Sequence, residues 1–134
     1  MFTDARSHHH WSDRPVSDDD LHGLYKLVKW GLTSGNLQPV HIVFVRSEEG
    51  RRMLFRALEG MGSNLEQVRA APVTATVGQD VRFYDEAPRQ FPRTNFKPMF
   101  EADAAFAESI AFRSSSLTGA YLMLVARNVA AKRR

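Results

Sequence analysis

Residues 102–130 constrain the chain most. They contain no proline, and they are apolar or small on almost every side. Phe106, Ile110, Leu117, Tyr121 and Leu124 mark an apolar face, while Ala104, Ala105, Ala107, Ala111, Gly119 and Ala120 keep much of the rest small. A helix without a polar face has to be buried, often against another subunit. The remaining residues must therefore wrap this one element. Only two segments read as strands. Val40–Val45 is β-branched and aromatic and reads as a largely buried strand, and residues 72–77 form the second. Two strands alone make a poor sheet, so helix cover is required.

The other elements follow from local signals. Ser17 caps a helix whose first turn is Asp18, Asp19 and Asp20, where acids suit the positive end of the dipole. Leu21, Leu24, Tyr25 and Val28 give it an apolar face, and Gly31 is placed to end it in the left-handed conformation. Ser47 caps a second helix to about Leu58, with Gly60 beyond its end. Ser63, Asn64, Leu65 and Glu66 read as a capping box for a short third helix. In residues 81–100, Pro88, Pro92 and Pro98 exclude a long regular element. Phe83, Tyr84, Phe91, Phe96 and Phe100 need somewhere to pack, either as a lid over a pocket or within an irregular segment. The expected order is α, β, α, α, β, irregular, α, in one domain spanning residues 1–134.

Several classes of function are excluded. The 134 residues hold no cysteine, so there is no disulfide framework and no thiolate ligand or nucleophile. No apolar run approaches the length of a membrane span, and residues 1–11 do not form a secretion signal. A cytoplasmic location is the expectation. The 18 basic and 15 acidic residues leave a formal charge of +3, and Lys132, Arg133 and Arg134 account for the whole surplus. A tail of this kind gives little counterion release, so no nucleic-acid partner is expected. His8, His9 and His10 are adjacent and cannot converge tetrahedrally on one ion, so no metal site is expected. No phosphate-binding glycine loop, dinucleotide fingerprint, metalloprotease motif or nucleophile elbow is present.

Two polar clusters remain. Arg6, Ser7 and His8 combine a guanidinium, a hydroxyl and an imidazole, a set able to grip a phosphate or simply to line a solvated segment. Thr33, Ser34, Gly35, Asn36, Leu37, Gln38 and Pro39 join a helix to a strand. Ser34, Asn36 and Gln38 offer directional donors and acceptors for a polar ring edge or a ribityl chain, but the same composition makes ordinary turns.

Taken together in this order, the two clusters resemble the nitroreductase family of FMN-dependent oxidoreductases. The stretches Phe2-Thr3-Asp4-Ala5-Arg6-Ser7-His8 with Trp11, Ala70-Ala71-Pro72-Val73-Thr74-Ala75, Phe83-Tyr84-Asp85 and Ser116-Leu117-x-Gly119-Ala120-Tyr121-Leu122 resemble its malonic semialdehyde reductase branch. The resemblance implies an α+β sandwich working as an intertwined homodimer, with FMN at the subunit interface. Arg6, Ser7 and His8 would then hold the FMN phosphate and ribityl chain, and Ser34, Asn36 and Gln38 would reach the flavin from the partner subunit. NADH or NADPH would deliver a hydride to flavin N5. A small aldehyde such as malonic semialdehyde would take it in a ping-pong cycle, giving 3-hydroxypropionate. The cofactor carries the hard step, which accounts for a sequence without a catalytic residue of its own.

The resemblance also implies further parts: a glycine-bearing loop after the last helix, more strands, and a C-terminal arm around the partner. The sequence reaches Lys132, Arg133 and Arg134 where that loop is expected. The expectation is a shortened relative, arising by truncation or frameshift near residue 128, lacking the C-terminal strands and arm. The alternative function is then a non-catalytic remnant, or a dimerising scaffold without stable FMN.

Overall fold

The computed structural model describes residues 2–3 and 5–131. Met1, Asp4 and the basic tail Lys132, Arg133 and Arg134 lie outside the described residues. Helix α1 (Asp18–Val28) starts on a full capping box, in which the Ser17 hydroxyl accepts from the Asp20 backbone and Asp20 accepts from the Ser17 backbone. Strand β1 (Val40–Val45) leads into α2 (Glu48–Ala57), which is capped by Ser47. Helix α3 (Ser63–Ala70) follows, then β2 (Thr74–Gln79), α4 (Ala87–Gln90), α5 (Lys97–Ala102) and the long α6 (Ala104–Ala131). The two strands pair antiparallel, from Val40 opposite Gln79 to Val45 opposite Thr74. Helix α6 packs against α1, α5 and both strands. The element order matches the sequence reading, with helical turns inside the irregular segment.

Five local expectations need correction. Gly31 does not adopt a left-handed conformation. Its requirement is space, because a Cβ there would overlap the Tyr121 ring of α6. Ser63 is not a cap: α3 begins on Ser63 itself after Gly62, whose φ is +56°. Strand β2 begins two residues later than expected, since Pro72 has no N–H to give to a ladder. Strand β1 is half-buried rather than largely buried, because alternate side chains such as His41 and Val43 face outward.

The fifth correction concerns α6. Its buried residues are Ala107, Ala111, Ser114, Ser115, Thr118 and Leu122, which recur at helical spacing. The bulky residues expected to mark the packed face include Phe106 and Leu117, which are 41% and 44% exposed. Small residues win the packed face because α1, the strands and the loop after α1 all approach α6 closely, as Gly31 on Tyr121 shows.

Residues 81–100 are no lid. They supply half of the core: Phe83, Ala87 and Phe100 are buried together with Leu37, Ala107 and Ala111, with Tyr84, Phe96 and Ile110 packed around them. Phe83 meets Phe100 edge-on at 4.9 Å between ring centroids, and Phe100 stacks on Phe106 at 5.5 Å. Burial of each such phenylalanine contributes about 1.5–3 kcal/mol. Pro88 and Pro98 sit in the first turns of α4 and α5, where a missing N–H costs no helical hydrogen bond. Among the described residues, no helix is long and apolar enough to cross a membrane.

Candidate functional site

Among the described residues, both non-glycine residues with positive φ lie in the loop between α1 and β1. Gly35, Asn36 and Gln38 have φ of +56°, +55° and +48°. A left-handed conformation costs a non-glycine residue about 1–2 kcal/mol, so the surroundings must hold it. Leu37 is 2% exposed and plugs into the core, fixing the middle of the loop. The Gln38 N–H donates to Thr33 Oγ1 at 3.2 Å, and the Ser34 N–H points at Ser114 Oγ of α6 at 3.5 Å. With its amide nitrogen facing the loop, Gln90 of α4 donates to the carbonyl oxygens of Asn36 and Leu37, at 3.0 and 2.6 Å. The Tyr121 hydroxyl donates to the Leu32 carbonyl at 3.3 Å.

These anchors leave the side chains of Asn36 and Gln38 at the surface as a linked pair. Gln38 Nε2 donates to Asn36 Oδ1 at 3.0 Å. No further hydrogen bond reaches Asn36 Nδ2 or Gln38 Oε1 among the described residues, so the pair presents an amide nitrogen as donor and an amide oxygen as acceptor. It borders a cavity of about 560 Å³ that also touches Trp30, His41, Arg89 and Gln90. Ser34 is exposed on the same loop.

Arg6, Ser7 and His8 are exposed on the N-terminal segment. One nitrogen of the Arg6 guanidinium donates to the carbonyls of Thr3 and Ala5, at 3.0 and 2.7 Å, and its other N–H groups have no partner among the described residues. The segment is moored to α3, since Trp11 Nε1 donates to the Gln67 carbonyl at 3.0 Å and the Gln67 amide meets His9 Nδ1 at 2.9 Å. The two clusters are therefore tied to different elements. No hydrogen bond or ion pair joins Arg6, Ser7 or His8 to Ser34, Asn36 or Gln38 within one chain. Among the described residues, no group of histidines and carboxylates is placed to hold a metal ion.

Sequence reasoning missed the residues that hold the loop in place. Gln90, Ser114 and the Gly31–Tyr121 contact carry no motif, and only a three-dimensional arrangement identifies them. It also missed a charged brace under the loop's neighbours. Asp85 lies 2.7 Å from Arg82 Nη2 and 2.8 Å from Lys97 Nζ, tying residues 82–85 to the start of α5. The Lys97 ammonium, and after it the Arg82 guanidinium, hold the Asp85 carboxyl below its ordinary range. Asp85 in turn holds both bases above theirs, chiefly through its hydrogen bonds to them.

No protein-family model matches the chain. Solved structures do. A protein assigned as a nitroreductase from Exiguobacterium sibiricum, solved in complex with FMN, superimposes with a TM-score of 0.76 at 21% identity, over 91% of this chain and 65% of that one. A protein from Bacillus subtilis with the same assignment gives 0.77 at 20% identity, over 92% of this chain and 66% of that one. One from Staphylococcus epidermidis assigned as an NAD(P)H:FMN oxidoreductase gives 0.72 at 18% identity, over 86% and 61%. The fold is the nitroreductase-like α+β fold, and the chain spans about 65% of the length of the first of these structures.

Proposed function

We propose that the chain is an FMN-binding NAD(P)H oxidoreductase of the nitroreductase type, with its flavin site assembled between two copies. The strongest support is the likeness of fold, over 91% of the chain, to a structure solved with FMN. The donor sets also suit the cofactor. Arg6 has N–H groups without a partner among the described residues, beside the Ser7 hydroxyl and the His8 imidazole, a combination that can clasp a phosphate bidentately. The Asn36–Gln38 pair offers a donor and an acceptor side by side, as the polar edge of a flavin ring requires. The resemblance implies a homodimer, in which the two sets, moored to different elements of one chain, would reach one flavin from opposite copies.

Bound FMN would supply the hydride carrier between a nicotinamide donor and a carbonyl acceptor. The chain's own residues bind and orient. Arg6, Ser7 and His8 neutralise and fix the phosphate end. Ser34, Asn36 and Gln38, on a loop braced by Gln90 and Leu37, set the ring's position. The proposed substrate is a small aldehyde such as malonic semialdehyde, reduced to 3-hydroxypropionate. Its support is the resemblance of residues 2–8, 70–75, 83–85 and 116–122 to that branch of the family.

Titrating the purified full chain with FMN, followed by flavin fluorescence and absorbance, tests the reading. Saturable binding is expected, together with NAD(P)H oxidation that depends on the added aldehyde. Arg6→Ala removes a charge-assisted contact worth about 1.5–3 kcal/mol, so it should weaken FMN roughly 10- to 150-fold. Absence of saturable FMN binding by folded protein refutes the proposal and leaves a dimerising scaffold as the reading. Binding with unaltered affinity in Arg6→Ala refutes the assigned phosphate site.

A further inference from the structure

The cavity of about 560 Å³ that the Asn36–Gln38 pair borders carries more charge than a neutral ring edge needs. Four parts of the fold bound it: the end of α1, the segment from Asn36 into β1, α4, and α6, whose buried Thr118 lies in the lining. The lining includes Lys29, His41 and Arg89, and no aspartate or glutamate. Two acids outside the lining each steady one of these bases. Glu86 Oε2 accepts from Arg89 Nε at 2.9 Å, and Asp80 Oδ2 lies 3.8 Å from His41 Nε2.

The bases are left able to bind. Glu86 takes the Nε–H of Arg89, and neither Nη group has a partner among the described residues. A guanidinium with its Nη groups available can meet a carboxylate through two parallel hydrogen bonds. No carboxylate pairs with Lys29 among the described residues; its ammonium lies 5.1 Å from the centre of the Trp30 ring, which shares the lining. The position of Arg89 is also tied to the candidate flavin contacts. Gln90, the next residue, donates to the carbonyls of Asn36 and Leu37, so one brace fixes both the loop and the start of the arginine side chain. A neutral aldehyde gives these bases nothing to hold, whereas an aldehyde that also carries a carboxylate answers them directly.

We propose that this cavity seats a carboxylate on the carbonyl acceptor, with Arg89 as the specificity-determining residue and Lys29 as the second cation. The inference rests on the proposed FMN-dependent activity, and it narrows the acceptor from small aldehydes in general to anionic ones. The cofactor's own phosphate is assigned to Arg6, Ser7 and His8, so the charge at Arg89 serves a different anion.

Two measurements on the full chain test it. In the first, malonate is titrated into flavin-free protein and tryptophan fluorescence is read, with Trp30→Phe to identify the signal. A saturable change at roughly millimolar concentration is expected, weaker at high salt and weakened about tenfold in Arg89→Gln. Arg89 is exposed, and far-UV circular dichroism verifies that the variant is folded. In the second, kcat/KM for malonic semialdehyde is divided by that for propanal in the FMN-loaded chain. Arg89→Gln should lower this ratio about tenfold, through KM rather than kcat, because the carboxylate contact is the same before and during hydride transfer. The proposal is overturned by no malonate response, by a response that persists in Trp30→Phe, or by an equal response or ratio in folded Arg89→Gln. A variant that loses affinity for FMN but not for riboflavin places the cofactor phosphate at Arg89 and overturns it too. So does a changed preference between NADPH and NADH with the aldehyde ratio intact, which gives the cavity to the hydride donor. Malonate binding through Arg89 in a chain that takes up no FMN counts against the proposed activity and leaves the anion site standing.

Discussion

Gly31→Ala puts the contact between Gly31 and the Tyr121 ring to the test. The new Cβ would overlap the Tyr121 ring at Cδ2 and Cε2, so the ring or the loop must move. Overpacking of this kind costs about 1–3 kcal/mol. Moving the ring also breaks the hydrogen bond from the Tyr121 hydroxyl to the Leu32 carbonyl, worth about 1 kcal/mol. The loss of unfolded-state entropy on replacing glycine offsets about 0.4–1 kcal/mol. The net expectation is a destabilisation of about 1.5–3 kcal/mol, a large share of the ~5–15 kcal/mol that holds a typical domain together. Urea denaturation should show a lower midpoint at an unchanged slope. The decisive comparison is the double mutant. In a Tyr121→Ala background the Cβ has room, so the same substitution should become neutral or mildly stabilising, with a coupling energy above about 1 kcal/mol. A cost below about 0.5 kcal/mol in the native background, or an equal cost with and without Tyr121, refutes the account of Gly31 as a contact glycine.

Two further substitutions separate stability from the site. Asn36→Gly relieves a left-handed residue but removes the partner of Gln38; stability should change by no more than about 1 kcal/mol, while FMN affinity measured by fluorescence titration falls roughly tenfold or more. Asp85→Asn removes the brace between Arg82 and Lys97. Because the folded pKa of Asp85 is lowered from 3.8, its contribution is complete above that value and fades as pH falls through the depressed one. The stability gap between native protein and variant should therefore be constant near neutrality and close in acid, as read by denaturation at a series of pH values.

Local chemistry made most elements legible. The Ser17 and Ser47 caps and the β-branched run at 40–45 each carry their own signal, and the structure places α1, α2 and β1 accordingly. The packed face of α6 was not legible in the same way. A hydrophobicity pattern selects Phe106 and Leu117, but close approach of neighbouring elements selects Ala107, Ala111, Ser114 and Thr118. Size decides there, and size is a property of the pair in contact, not of one residue. Gly31 shows the same limit: a glycine after a helix looks like a cap, and only the position of Tyr121, 90 residues later in the sequence, reveals the other reason for it.

The candidate site divides along the same line. Its polar residues stand out because Arg6, Ser7, Ser34, Asn36 and Gln38 form short clusters with recognisable chemistry. The means of presenting them does not stand out, because it is spread over Leu37 in the core, Gln90 on α4 and Ser114 on α6. That arrangement has a physical consequence. Two left-handed non-glycine residues in one loop cost about 1–2 kcal/mol each, and they persist because the burial of Leu37 and contacts from α4 and α6 hold the loop. The strain fixes Asn36 and Gln38 as a rigid pair before any ligand arrives, so binding need not spend free energy ordering them. The N-terminal cluster is the opposite case, an exposed segment moored to α3 through Trp11 and His9. In the proposed dimer, one copy's rigid loop sets the ring and the other copy's more loosely held segment closes on the phosphate. Ligand binding should accordingly protect the amides of residues 5–11 from exchange far more than those of residues 34–38.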